Sequence, residues 1–360
     1  MMAPQDTTSA PARPDEDQPF PLSADLPPEM ASPLAPFHGQ RPPAPAWFEA
    51  AIADQPERSL VEVAGAKIET LSWGERGKPG LVLVHGNTAH ADWWSFIAPF
   101  LADSYRVTAL SLSGMGGSDW RETYSFERFA DEIFAASQAS GLYEAPVKPI
   151  YIGHSFGGAQ VIYSALRHAE RMRAAILVDT GFGGPPTPEE FARMRAEAIA
   201  RGEDPGPMDR LSTRSNRNRV YPSQEAALAR FRLMPPQVPG NLYIADFIAR
   251  GSLKRVPLPE AEEGTGEGWT WRFDPALWTK LDRTGMEDLS ARGVTTPMVH
   301  VIGDRSTIIR RHLAMARNRG RIPPETPQIV IPDSEHHIMI DQPLALVSVL
   351  RALLAAWAPA

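Results

Sequence analysis

The sequence contains no cysteine. Disulfides, thiolate nucleophiles and cysteine-bound metals are therefore excluded. Such a chain suits a reducing compartment. Long apolar runs are also missing, and none approaches the ~20 residues that span a bilayer. The opening stretch, MMAPQDTTSAPARPDEDQPF, lacks the basic-then-apolar order of a secretory leader. These absences together point to the cytoplasm and away from a membrane. Positive charge is in deficit, with 36 Lys and Arg against 43 Asp and Glu and a net charge of −7. That balance favours solubility and argues against a general nucleic-acid binder. No closely spaced His, Asp and Glu set stands out as a metal site, and no cofactor is expected.

The remaining composition is that of a soluble globular chain, with 43% hydrophobic and 22% charged residues in 360. Residues 1–45 are rich in Pro, Asp, Ser and Ala and show no helical or strand period. Such a stretch buries too little apolar surface to offset its ordering entropy. It reads as a disordered tail, or as a belt wrapping the domain or a partner and anchored by Phe37 and Trp47.

From Leu60 the pattern changes. Leu60–Val63 and Ile68–Trp73 read as strands joined by a turn at Ala64-Gly65. Leu81–Val84 is a continuous apolar run, as expected of a strand buried on both faces. A helix is expected over Ala91–Ala102, a strand over Arg106–Leu112, and a helix over Ser125–Ala139 with Ser125 as N-cap. Pro149–Ile152 reads as a strand, Gly157–His168 as a helix and Ala174–Val178 as another buried strand. This alternation implies βαβ units and a parallel sheet. It breaks at Gly181. The segment to about Leu289 holds amphipathic pieces, many Arg and Pro, and three tryptophans, Trp269, Trp271 and Trp278. Strand and helix order resumes with Met298–Ile302, a helix near Ile308–Arg317, the strand Gln328–Ile331 and a final helix over Leu344–Trp357. The expected layout is a tail (1–45), a first core part (46–180), a mainly helical cap inserted after the sixth core strand (181–289), and a second core part (290–360). Insertions of this size usually shape a binding site.

Gly153-His154-Ser155-Phe156-Gly157 fits G-x-S-x-G. It follows the apolar strand and precedes a helix, the context in which a serine is held on a strained strand-to-helix turn. The glycines are needed because side chains there would collide with the neighbouring strand and helix. The helix N-terminus beneath favours developing negative charge.

With Leu83-Val84-His85-Gly86-Asn87 before it, and Leu110-Ser-Leu-Ser-Gly-Met-Gly-Gly-Ser118 between, the elbow completes an ordered set. In that order the chain resembles the α/β-hydrolase superfamily over residues 60–180 and 295–357. The middle motif resembles D-x-x-G-x-G-x-S, with Ser111 in place of the usual Asp. The resemblance implies a mostly parallel central sheet flanked by helices, with Ser155 as nucleophile. It places the oxyanion donors at the backbone N–H groups of Asn87 and Phe156; His85 reads as holding the loop, with a catalytic role as the alternative. It implies a late histidine as base. Ser334-Glu-His-His-Ile-Met-Ile-Asp-Gln-Pro343 resembles the terminal His loop, in which the base precedes the proline by seven positions. That spacing selects His336, with His337 as the alternative. The acid departs from the pattern. The usual Gly-x-x-Asp reads Gly303-Asp304-Arg305-Ser306, so Ser306 stands where the acid is expected. A second location, the end of the preceding core strand, gives Asp179; Asp304 is the alternative.

Trp93 and Trp94 follow the oxyanion loop and either line the acyl pocket or pack a helix. Arg214, Arg217 and Arg219 could grip a carboxylate or be solvated. Met194, Met208 and Met234, with the aromatics, suggest an apolar, medium-sized substrate. The expected activity is hydrolysis of a carboxylic ester or lactone. C–C hydrolysis of a diketone and a silent ligand-binding homologue are the alternatives, and a homo-oligomer is compatible with the sequence.

Overall fold

A computed structural model describes residues 26–181, 217–258, 266–284, 294–306 and 326–357, with a few helical positions between them. Ten strands and five longer helices carry the description. The strands are β1 (Glu57–Val63), β2 (Ala66–Trp73), β3 (Gly80–Val84), β4 (Arg106–Leu110), β5 (Ile150–His154), β6 (Ala174–Val178), β7 (Leu253–Pro257), β8 (Glu267–Trp271), β9 (Met298–Gly303) and β10 (Gln328–Ile331). The helices are α1 (Ala46–Ala53), α2 (Phe126–Ala139), α3 (Phe156–Arg167), α4 (Leu242–Gly251) and α5 (Pro343–Ala356). Eight strands form one sheet in the order β1-β2-β4-β3-β5-β6-β9-β10. The pairs β1–β2 and β2–β4 are antiparallel, and the others are parallel.

The continuous apolar runs are explained by cover on both faces. Along β3, Leu81 and Leu83 join a cluster with Trp94, Phe96, Leu346 and Leu350. Val82 and Val84 point the other way, into a cluster with Phe129, Ile133 and Val161. Period-2 alternation thus splits one apolar strand between two cores. The β1–β2 hairpin turns on Ala64 and Gly65, with φ of 46° and 76°, the doubly left-handed geometry that matches strand twist. Ser125 caps α2 by accepting from the Arg128 N–H at 3.1 Å.

One expectation changes. The stretch Ala91–Ala102 is not one helix. It is a 3₁₀ turn (Ala91–Trp94) and a single α-turn (Pro99–Ala102). Pro99 has no N–H for the Ser95 carbonyl and its ring crowds the preceding turn, so the ladder is interrupted. Among the described residues the segment between β6 and β9 holds α4 and the short helices Gln224–Leu228 and Leu277–Lys280. It also contains the antiparallel hairpin β7–β8, in which Trp269, Thr270 and Trp271 supply β-forming side chains. The expected helix near Ile308–Arg317 lies mostly outside the described residues.

Residues 26–45 run against the core. Leu34 is 2% exposed and shares the apolar cluster with Phe48 of α1. The Trp47 ring lies 6.2 Å from both Phe100 and Tyr243, and Arg250 of α4 donates to the Gly39 carbonyl at 2.7 Å. Phe37 is only half-buried. No helix among the described residues is long and apolar enough to cross a membrane.

Candidate active site

Ser155 sits between β5 and α3 with φ 51° and ψ −118°. A non-glycine residue there stores strain. The turn holds because the Ser155 N–H donates to Val178 O at 3.1 Å and Ser155 O accepts from Ala159 N at 3.2 Å. The flanking glycines are required sterically. A Cβ on Gly157 would stand 2.3 Å from the His85 carbonyl oxygen, and one on Gly153 would stand 2.6 Å from that of Gly157.

His336 meets this serine. Its Nε2 lies 2.9 Å from Ser155 Oγ, and its Nδ1 lies 2.7 Å from Asp179 Oδ2. An ionised carboxylate only accepts, so Nδ1 carries the ring proton and Nε2 is left to accept from the Ser155 hydroxyl. Asp179 follows β6 directly and is fully buried, with φ 43°. Its Oδ1 accepts from Gly303 N at 3.0 Å and its Oδ2 also accepts from Ser306 Oγ at 2.5 Å. The carboxylate thus enters the protein with three donors, which is what burial of a charge demands.

The alternative residues stand elsewhere. Asp304 Oδ1 accepts from Ser334 N at 3.1 Å and anchors the loop before His336. His337 faces Gln237: its main-chain N–H donates to Gln237 Oε1 at 2.9 Å and its Nδ1 lies 2.6 Å from the same oxygen. Burial, reinforced by His336 and His154, drives His337 well below the usual histidine range.

His85 is locked by two contacts. Its Nε2 accepts from Leu112 N at 3.0 Å, so Nδ1 donates to Gly86 O at 2.7 Å. Burial pushes its pKa down to about 3. A neutral ring therefore ties the Gly86-Asn87 loop to Leu112, two residues beyond β4. Thr88, in the same loop, has φ 58°, a second strained position. Among the described residues, neither the Asn87 nor the Phe156 N–H donates to a backbone carbonyl.

Trp94 is fully buried in the core. Trp93 is 8% exposed, with its ring 5.6 Å from that of His337. Both indole N–H groups are buried without an acceptor among the described residues. Trp278 packs on Phe156 at 5.5 Å, whereas Trp271 packs on Tyr221 and Phe231. Arg214, Met194 and Met208 lie outside the described residues. Arg219 stacks over Tyr221 at 5.4 Å, and Met234 is exposed. No group of three or more His, Asp or Glu able to hold a metal ion occurs among the described residues.

Sequence reasoning missed Gln237, Glu69 and the part played by Ser306. Glu69 of β2 accepts from Ser111 Oγ at 2.7 Å and Gly117 N at 2.8 Å. It supplies, from the adjacent strand, a carboxylate to the loop whose own usual Asp is Ser111. The departures at Ser111 and Ser306 were the available signal. Gln237 had none, because nothing near it in sequence marks its partner.

A model of the alpha/beta hydrolase family matches residues 81–349. The chain belongs to that family. The esterase Rv0045c of Mycobacterium tuberculosis is 25% identical over 320 residues, 85% of this chain and 92% of that protein. The pimeloyl-[acyl-carrier protein] methyl ester esterase of Vibrio atlanticus is 23% identical, covering 74% of this chain and 92% of that protein. Among solved structures, E-2-(acetamidomethylene)succinate hydrolase superposes with a TM-score of 0.61 at 18% identity, over 83% of this chain and 99% of that chain, a likeness of fold.

Proposed function

We propose that this α/β-hydrolase cleaves a carboxylic ester or lactone through an acyl-enzyme. Ser155 is the nucleophile, His336 the general base and acid, and Asp179 the residue that orients the imidazole. The backbone N–H groups of Asn87 and Phe156 are the oxyanion donors. The observation that carries the reading is the unbroken hydrogen-bonded relay from Asp179 through His336 to Ser155 Oγ.

In the first step His336 Nε2 takes the hydroxyl proton as Ser155 Oγ bonds to the acyl carbon. The carbonyl electron pair moves to oxygen. Collapse of that adduct expels the alkoxide, which takes the proton back from Nε2. Water repeats the sequence, releasing the acid and restoring Ser155. The segment 181–289 acts as a cap over this site, and Trp93 borders the acyl side. The esterase names of the two full-length relatives support ester over other hydrolysable bonds.

The test is a panel of p-nitrophenyl esters and lactones with the wild type and Ser155→Ala. Turnover with a nitrophenol burst in the wild type, and none in the variant, supports the reading. Full turnover by the variant overturns it. Cleavage of a vinylogous diketone without any ester turnover would replace it with C–C hydrolysis.

A further inference from the structure

Asp179 and Ser306 stand in an exchanged relationship. The loop after β9 offers a serine where an acid was expected, and the carboxylate arrives instead from the end of β6 (Ala174–Val178). The two side chains meet: Ser306 Oγ donates to Asp179 Oδ2 at 2.5 Å. That oxygen is the one facing His336 Nδ1 at 2.7 Å. Ser306 is 3% exposed, and among the described residues its hydroxyl makes no other hydrogen bond. Its backbone is held as well, with its N–H donating to Gly303 O at 3.3 Å and its carbonyl accepting from Arg310 N at 3.2 Å.

We propose that Ser306 is a positioning residue that acts on catalysis through Asp179, and that positions 179 and 306 are interchangeable seats for one carboxylate. Three observations carry this. Asp179 has a left-handed backbone, φ 43°, so its side chain direction is set by an unusual turn and needs an external stop. Gly303 N–H holds only Oδ1, at 3.0 Å. Without the hydroxyl, Oδ2 has the imidazole as its one remaining partner, and the carboxylate can rotate away from the plane that keeps His336 Nε2 on Ser155. An Asp at 306 would extend one bond beyond the present Oγ, into the space where Oδ2 meets the imidazole. Ser306 touches neither Ser155 nor the ring of His336 through any hydrogen bond, so its effect falls on turnover and not on substrate binding.

This inference rests on the proposed Ser155–His336–Asp179 arrangement, and its test is built to fail separately. Ser155→Ala is the control for that arrangement. Ser306→Ala is expected to lower kcat roughly 10-fold, the scale of one hydrogen bond to a charged group, with KM within about 2-fold of wild type. Ser306→Thr and Ser306→Val, matched in volume, divide by hydroxyl: Thr keeps more activity than Val if the hydroxyl is what matters. Asp179→Asn is expected to lose about 10⁴ in kcat; the pair Asp179→Asn with Ser306→Asp recovers at least about 10-fold over the single variant, because Asn tolerates the left-handed backbone and can donate to the new carboxylate. Melting temperatures are recorded for each. Equal kcat for the Thr and Val variants, or a folded double variant no better than Asp179→Asn, overturns the proposal while a dead Ser155→Ala leaves the acyl-enzyme reading standing. An active Ser155→Ala removes the foundation for both.

Discussion

Gln237 holds His337 by two bonds to a single oxygen: both the main-chain and the ring N–H of His337 point at Gln237 Oε1. The other end of the same amide donates to both carboxylate oxygens of Asp341, at 2.9 and 3.1 Å. Asn241 adds contacts to the Ile340 and Asp341 carbonyls. Through these residues the segment between β6 and β9 grips the loop that carries His336. The grip is fully buried at Gln237, so it gains from the low local dielectric and is costly to leave half-made.

Gln237→Ala strands the two N–H groups of His337 and one partner of Asp341. Each buried polar group left unpaired costs roughly 1–3 kcal/mol. The urea midpoint is expected to fall, and kcat to fall with it while the fold persists, because the neighbouring His336 loses its brace. Gln237→Glu keeps the acceptor for His337 but sets a carboxylate against Asp341, so it should be less stable than wild type by more at pH 8 than at pH 5. A Gln237→Ala variant with unchanged midpoint and kcat would show the grip to be inert.

Asp179 and Asp304 separate by function. Asp179→Asn places an amide against His336 Nδ1, which then favours the wrong tautomer; a loss of about 10⁴ in kcat is the expected scale. Asp304→Asn keeps an amide oxygen that can accept from Ser334 N, and it should cost less than about 10-fold. Equal losses, measured with one p-nitrophenyl ester, would mean that the carboxylate facing His336 is not the one that orients it.

Much of this is legible in the sequence. Buried parallel strands announce themselves as unbroken apolar runs, and such runs fall within one or two residues of β3, β5 and β6. Ser155 and His336 were readable because a tight elbow and a late His loop are local in sequence. What resisted was non-local. The breaking of Ala91–Ala102 turns on Pro99, whose presence was visible but whose effect competed with a good helical period. The β7–β8 hairpin has a connection that hides its pairing. Leu34, not Phe37, became the buried anchor of residues 26–45, because several apolar candidates were available and only packing chooses. Ser111 and Ser306 registered as departures, yet their partners Glu69 and Asp179 lie on adjacent strands far away in sequence.

Gly157 tests the steric account of the elbow. A Cβ there would stand 2.3 Å from His85 O and 2.6 Å from Val84 O, both backbone atoms that cannot swing away. Gly157→Ala must therefore push α3 off β3 or distort the oxyanion loop. The expected result is a drop in soluble yield and melting temperature, with kcat in any folded fraction reduced by more than 10-fold on the scale of a lost oxyanion donor. An alanine variant with wild-type stability and turnover would show that the contact relaxes freely.

Glu335 makes stability depend on pH in a defined direction. Burial, with the negative charge of Asp341 adding to it, raises its pKa from 4.5 to about 7, against the opposing pull of Arg305. The folded state therefore holds a proton that the unfolded chain releases near 4.5. Between those two values the native state binds more protons, so stability falls as pH rises, and above about pH 7 the penalty is constant. Half-exposure at Glu335 limits the size of the effect. Glu335→Gln abolishes the ionisation while keeping the shape. Its melting temperature should exceed that of wild type at pH 8, and the difference should close as pH falls through 7 and vanish near 4.5. A difference that stays flat from pH 5 to pH 8, or that grows toward acid, would mean that Glu335 is charged in the folded state throughout, and that the loop beside His336 tolerates its carboxylate next to Asp341 without cost.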